Sequence, residues 1–303
     1  MTPEIIKNKY GYYEITKKPD KEELKKYYSE KYYKEESKYN KYQKEYTDPE
    51  LFFINNRLNR KYLTLLHHYE NLDDFRILDV GCGEGWGLKF FSNKGLHTTG
   101  IDYTKDAASW FKNATNNNFI EGDIFEIIEN LIVKGSKFNI ILLDNVLEHV
   151  VDPEQLIKRM NLLLYDHGTL IVEVPNDFSI LQQYLIKHKK INTEFWITYP
   201  DHLSYFNYKG LKSLFELNGW KTLTINCDYP IDLHLFNKNT NYIEQKEKGK
   251  SVHFTRIEIE NLLDEISVDE TIKLYTLLAE MGLGRNLIGF FIPDNKNGNI
   301  ENK

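Results

Sequence analysis

Cysteine is nearly missing from this chain of 303 residues, and the two that occur, Cys82 and Cys227, belong to no C-x-x-C pair or ligand cluster. That excludes a disulfide-stapled scaffold and a cysteine zinc site, and it suits a reducing compartment. No apolar run approaches the roughly 18 residues that a bilayer crossing needs, and no cleavable apolar segment opens the chain. A soluble, cytoplasmic protein without a membrane span is therefore expected. A surplus of basic residues is lacking too. The formal net charge of -6 argues against nucleic acid as a partner, since phosphate binding needs a basic field. A small molecule is the expected partner, with the chain a monomer or a homodimer.

Glycine, by contrast, is concentrated where it can act. In Phe75-Arg-Ile-Leu-Asp79-Val-Gly81-Cys82-Gly83-Glu84-Gly85-Trp86-Gly87, the apolar run Ile77, Leu78 and Val80 predicts a buried parallel strand, and the glycines predict a tight turn into a helix. A dinucleotide turn needs G-x-G-x-x-G, but Trp86 stands where the third glycine belongs, and the phosphate-binding lysine motif is absent. Charge also speaks against a pyrophosphate, which would meet the carboxylates of Asp79 and Glu84 at the helix N-terminus. Those carboxylates suit a cation, such as a ligand with an ammonium group and a sulfonium centre.

This stretch resembles the first motif of the class I S-adenosylmethionine-dependent methyltransferases: an acid, any residue, then glycines at alternate positions. Three more motifs follow in that family's order. Asp102 ends the strand Leu96–Asp102, where a carboxylate can accept from both ribose hydroxyls, or can cap the next helix. Asp123 follows a short strand from Phe119 and resembles the acid that accepts from the adenine amino group, although it could equally cap the helix from Ile124. Asp144 and Asn145 end the buried strand Ile140–Leu143 and open Asp-Asn-Val-Leu-Glu148-His149, which resembles the family's fourth motif in its Leu-Glu-His subset. The resemblance spans residues 60 to 228 plus a last strand near the C-terminus. It implies S-adenosyl-L-methionine as cofactor, S-adenosyl-L-homocysteine as product, and contacts from Asp79, Gly81, Cys82, Gly83, Gly85, Trp86, Asp102, Tyr103, Asp123, Ile124, Asp144, Asn145 and Val146. Some members of the subset bind a divalent metal with a glutamate where this chain has Asn145. A neutral amide is a poor substitute, so no metal is expected.

The implied fold is α/β and Rossmann-like: a seven-stranded, mostly parallel sheet with the last strand antiparallel and helices on both faces. Residues 1–60 are read as an N-terminal helical extension or lid, although residues 1–18 lack clear periodicity and Tyr10, Tyr12 and Tyr13 could form a short strand or pack on the core. Within them, a capping box at Asp20 and Glu23 opens a helix with a face of Leu24, Tyr27, Tyr28 and Tyr32, and Asp48-Pro49-Glu50 opens another. Residues 61–293 are read as the methyltransferase domain. It includes a helix with Ala107 and Trp110, a lid at 176–207 and an insertion at 229–266, polar and mobile around Asn237 to Lys250. Residues 294–303 are read as a disordered tail. Pro200-Asp-His202-Leu-Ser-Tyr-Phe206 resembles the Pro-x-His-Leu-x-x-Phe lid of a large subfamily. Methyl transfer to oxygen needs a base, so His202 and His149 are the candidate catalytic residues. The expected function is O-methylation of a sugar, sugar nucleotide or related surface-glycan precursor. Alternatives are a quinone, lipid or nitrogen acceptor, or a non-catalytic cofactor-binding module.

Overall fold

The computed structural model describes residues 3–20, 23, 46–103 and 117–294. The expected tyrosine-faced helix, apart from Glu23, the helix around Ala107 and Trp110, and residues 295–303 of the expected tail lie outside the described residues. The capping box itself is formed: the Asp20 and Glu23 side chains each accept from the other's backbone N–H, at 2.8 and 3.0 Å.

Apolar, β-branched runs form the central sheet: β3 (Arg76–Val80), β4 (His97–Asp102), β5 (Asn117–Glu121), β6 (Phe138–Asp144), β7 (Leu164–Pro175), β9 (Trp220–Cys227) and β10 (Asn286–Pro293). Their order is β5-β4-β3-β6-β7-β10-β9, with β10 antiparallel to both neighbours and the first five strands parallel. This is the fold expected from the sequence. The chain runs outward from β3 through β4 to β5 and then returns to β6 on the other side of β3. Such a reversal opens a crevice at the C-terminal strand ends, where Asp79, Asp102 and Asp144 lie.

Helices cover both faces. One core packs Leu78, Val80, Ile141 and Leu143 against α3 (Ile124–Val133), α4 (Pro153–Leu163) and α6 (Tyr208–Glu216). The other packs Ile77, Ile140, Leu142 and Ile171 against α1 (Asp48–Leu66) and α2 (Trp86–Asn93). The caps follow the residues that open each helix: Asp152 accepts from the Gln155 N–H at 2.9 Å and Asp123 from the Phe125 N–H at 2.9 Å.

Three expectations need correction. Residues 3–20 are not helical: β1 (Ile5–Lys7) and β2 (Tyr13–Ile15) form a hairpin that pairs through β2 with β8 (Ser204–Tyr205), in the 176–207 segment that also holds α5 (Ile180–Lys187). Tyr12 is buried against Phe206, so its aromatic surface goes to the core and leaves the flanking residues free to pair. The boundary at residue 60 falls inside α1, which runs unbroken through it. Finally, the stretch expected to be mobile is a run of short 3-10 turns leading into α7 (Gly249–Ile266). Buried Asn241 fixes it by donating to the carbonyls of Lys190 and Leu235 and accepting from the N–H groups of Ile243 and Glu244.

Candidate active site

The glycine turn leaves β3 with Gly81 at φ +69°, in the left-handed region, and there a side chain would strike Val146 Cγ2 at 2.8 Å. At Gly87 a Cβ would come within 2.7 Å of Asp79 Oδ2, so α2 can approach the acid only with glycine at this place. A Cβ on Gly83 would meet nothing within 4 Å, so the middle of the turn faces open space. Its amide is directed onto β4: Gly83 N–H donates to Asp102 Oδ2 at 2.9 Å, while Gly81 and Cys82 donate to the Ile101 carbonyl. A bare glycine cradle with a carboxylate fastened beside it fits a nucleoside with a cationic tail.

The other expected contacts divide between this crevice and local structure. Val146 packs on the turn, and Ile124 Cδ1 lies 4.0 Å from where a Gly81 Cβ would stand. Asn145 sits at φ +54° and donates its N–H to the Glu173 carbonyl. Asp123 takes the capping role: Oδ1 accepts from the Phe125 and Glu126 N–H groups, and Oδ2 accepts from the Tyr103 hydroxyl at 3.3 Å. The Cys82 thiol is buried, 2.9 Å from where a Cβ on Gly100 would stand, so it faces the sheet; burial, then Asp79, push its pKa up and keep it protonated. The Trp86 indole donates to Glu84 Oε2 at 2.8 Å, and the Tyr46 hydroxyl donates to the same oxygen at 2.5 Å. Glu84 is therefore engaged in closing residues 46–47 over the start of α2.

Charge is concentrated at the strand ends. Burial first, then the Asp144 carboxylate, push the Asp79 pKa up to about 8 against the pull of Lys61. Lys61, from α1, donates to Asp144 Oδ2 at 2.5 Å and to Glu173 Oε2 at 2.8 Å. Burial would favour a neutral amine, but the two carboxylates outweigh it and raise the ammonium's pKa. Glu173 would likewise be raised by burial, yet the Arg57 guanidinium and the Lys61 ammonium hold it at about 2. Sequence reading missed Arg57, Lys61 and Glu173. A signal was present: basic residues on the same helix faces as Leu58 and Leu65, and one acid inside an apolar strand, each of which demands a partner once buried.

The two candidate histidines, far apart in sequence, come together. His149 ends a 3-10 turn, Leu147–His149, and its Nδ1 lies 2.6 Å from the Asp201 carbonyl oxygen. Its ring meets that of His202 edge-on, with centroids 4.8 Å apart. Beneath them Glu148 is buried, which pushes its pKa well up, and Oε2 has no hydrogen-bond partner among the described residues. Glu148, His149 and His202 each offer a ligand atom, all within 4.8 Å of one another, so a cation could be held here although none was expected from Asn145. The backbone fixes the pair: Leu203 N–H donates to the Glu148 carbonyl at 2.9 Å, and Ile15 N–H donates to the Leu203 carbonyl at 3.2 Å.

The sequence pattern described as a methyltransferase domain matches residues 42–225, more than half of the chain. The chain belongs to the methyltransferase domain family. Its match with this domain and its fold place it in class I, whose cofactor is S-adenosylmethionine. Among curated relatives, a ubiquinone biosynthesis O-methyltransferase of Pelagibacter ubique is 27% identical over 49% of this chain and 65% of its own length. The C-methyltransferase NovU of Streptomyces niveus is 23% identical over 50% of this chain and 34% of its own. The match thus spans less than two thirds of these relatives. In fold, the domain resembles the plantazolicin methyltransferase BamL, solved with a triazolic desmethylPZN analog and SAH, with a TM-score of 0.50, 16% identity, and coverage of 91% of this chain and 92% of that one. Among the described residues, no helix of the domain is long and apolar enough to cross a membrane.

Proposed function

We propose that this chain transfers a methyl group from S-adenosylmethionine to an oxygen of a small molecule, with the cofactor held along the acidic ends of β3, β4, β5 and β6. The observation that carries the reading is the glycine turn joined to Asp102 beside Asp79, with the two histidines meeting at the turn that follows Asp144. Asp79 is the partner for the cofactor's ammonium and Asp102 for its ribose hydroxyls. Asp123 Oδ2 can meet the adenine amino group by exchanging the Tyr103 hydroxyl for it. When bound, the cofactor supplies an electrophilic methyl whose transfer discharges the sulfonium. No large new charge needs stabilising, so positioning of the acceptor dominates. The chain's own chemical task is to take the acceptor's proton. His202 and His149 are the bases in reach of one another, with His202 carried by a Pro-x-His-Leu-x-x-Phe segment and His149 by a Leu-Glu-His triplet.

The acceptor is a hydroxyl of a sugar, sugar nucleotide or related surface-glycan precursor, the class implied by those two motifs together. A quinone precursor is the second reading, favoured by the ubiquinone biosynthesis O-methyltransferases among the relatives. In this reading the methyltransferase domain takes in the whole of α1 and runs to residue 293, with residues 176–207 covering the acceptor and residues 229–266 as an addition to it.

Calorimetry tests the cofactor half. Micromolar binding of S-adenosylmethionine with no binding of NAD is expected, and the reverse result would discard the proposal. Mass spectrometry of sugar-nucleotide and quinol panels, read as the gain of one methyl with release of S-adenosylhomocysteine, tests the acceptor half. Cofactor binding without turnover on any acceptor would instead support a binding module.

A further inference from the structure

Lys61 has no place among the cofactor contacts, yet α1 carries it to the seam between β6 and β7. Asp144 and Glu173 are register partners on those strands, so their side chains leave the same face of the sheet. Asp79 pairs in register with Leu142, two residues before Asp144, and therefore lies on that face as well. One ammonium, only 5% exposed, is thus built in between two carboxylates, with Asp79 on the same face of the sheet. Glu173 also pairs with Arg57, whereas the ion pair of Asp144 among the described residues is with Lys61 alone. The second Asp144 oxygen, Oδ1, is sealed from solvent and has no hydrogen-bond partner among the described residues. A charge placed so close acts through a poorly screened interior on whatever else enters the crevice.

We propose that Lys61 determines how strongly the cofactor pocket distinguishes a positively charged sulfonium from the neutral thioether left after transfer: its ammonium offsets Asp144 beside Asp79 and weakens the hold on the cationic ligand relative to the uncharged one. This rests on the S-adenosylmethionine reading above. The same contact anchors α1 to the sheet, so the helix is docked at the expense of charge discrimination in the pocket.

The test is titration calorimetry of the full chain with S-adenosylmethionine and S-adenosylhomocysteine separately, read as the ratio of the two dissociation constants. A packing defect weakens both ligands together, whereas a change of field moves the ratio. Lys61→Met is expected to shift the ratio in favour of the sulfonium by about fivefold or more, while Lys61→Arg leaves it within about twofold, the charge being retained. Asp144→Asn, which leaves the ammonium less opposed, shifts the ratio the other way, and adding Lys61→Met restores it. That pair supplies the comparison if Lys61→Met alone does not fold. An unaltered ratio in a Lys61→Met protein that binds both compounds, or no restoration in the double variant, overturns the assignment. Failure of the unaltered chain to bind either compound removes the cofactor reading itself, a distinguishable result.

Discussion

Asp79 is placed to report on its own ligand. Its carboxyl titrates near 8 because it is buried and faces Asp144, so at neutral pH most of it carries a proton. A cationic ligand selects the carboxylate, and binding should release that proton. Affinity for S-adenosylmethionine is expected to rise between pH 6 and 8, approaching tenfold per unit at the acidic end. Calorimetry at pH 7 in buffers of different ionisation heat measures the release, and Asp79→Asn should abolish it while weakening binding roughly tenfold or more. An affinity flat across that range in the unaltered chain would contradict the assignment. Without ligand the sign reverses: a raised acid binds its proton only in the folded state, so its contribution to stability declines from about pH 4 and is fully lost above about 8. If the histidines are the bases proposed above, His202→Ala or His149→Ala should lower turnover about a hundredfold without loss of cofactor affinity. Wild-type rates across pH on the true acceptor would remove that residue from the chemistry.

At the scale of elements, the glycine turn offers a paired comparison. Gly81→Ala meets both a left-handed backbone and Val146, whereas Gly83→Ala meets only the backbone. The first should cost roughly 2–3 kcal/mol and the second about 1 kcal/mol, as measured by urea unfolding. Equal costs would mean that Val146 yields freely. The same elements show what could be read from the sequence. Ile77 to Val80 and Ile140 to Leu143 announce buried strands by composition alone, and an acid at the end of each strand, Asp79 and Asp144, predicts the crevice. Of the hairpin of β1 and β2, only the option of a short strand at Tyr10, Tyr12 and Tyr13 could be read. Three-residue strands carry too little periodicity to signal themselves, and the partner of β2, Ser204–Tyr205, lies more than half the chain away. The pairing of charges was hidden for a related reason: Lys61 shares a helix face with Leu65 and so demands a partner, but Asp144 and Glu173 come from distant strands.

For the molecule as a whole, ionic contacts do what apolar packing does elsewhere. Arg60 of α1 bonds Glu260 and Asp264 of α7, and Arg256 bonds Asp228 and Glu260, all largely buried. This joins the helix before the sheet to α7, which lies between β9 and β10 in the chain. Removing one member strands its partner's charge, so Glu260→Ala should cost roughly 3–5 kcal/mol in chemical denaturation; a loss below about 1 kcal/mol would show that water replaces it. Glu173 gives the assembly an acid limit. Its pKa is depressed to about 2, so its stabilisation is complete above the unfolded value of about 4.5 and is lost as pH falls toward 2. Unfolding midpoints followed through that window should fall steeply, and Glu173→Gln should flatten the fall.

The hairpin bound to β8 bears on what a turnover cycle has to spend. Because Leu203 is held on one side by Ile15 and on the other by Glu148, the ordering entropy of His202's neighbourhood is settled once, when the chain folds. Amide exchange at Leu203 and Ile15 should therefore be as slow before ligand is added as after, with the His202 segment already in place.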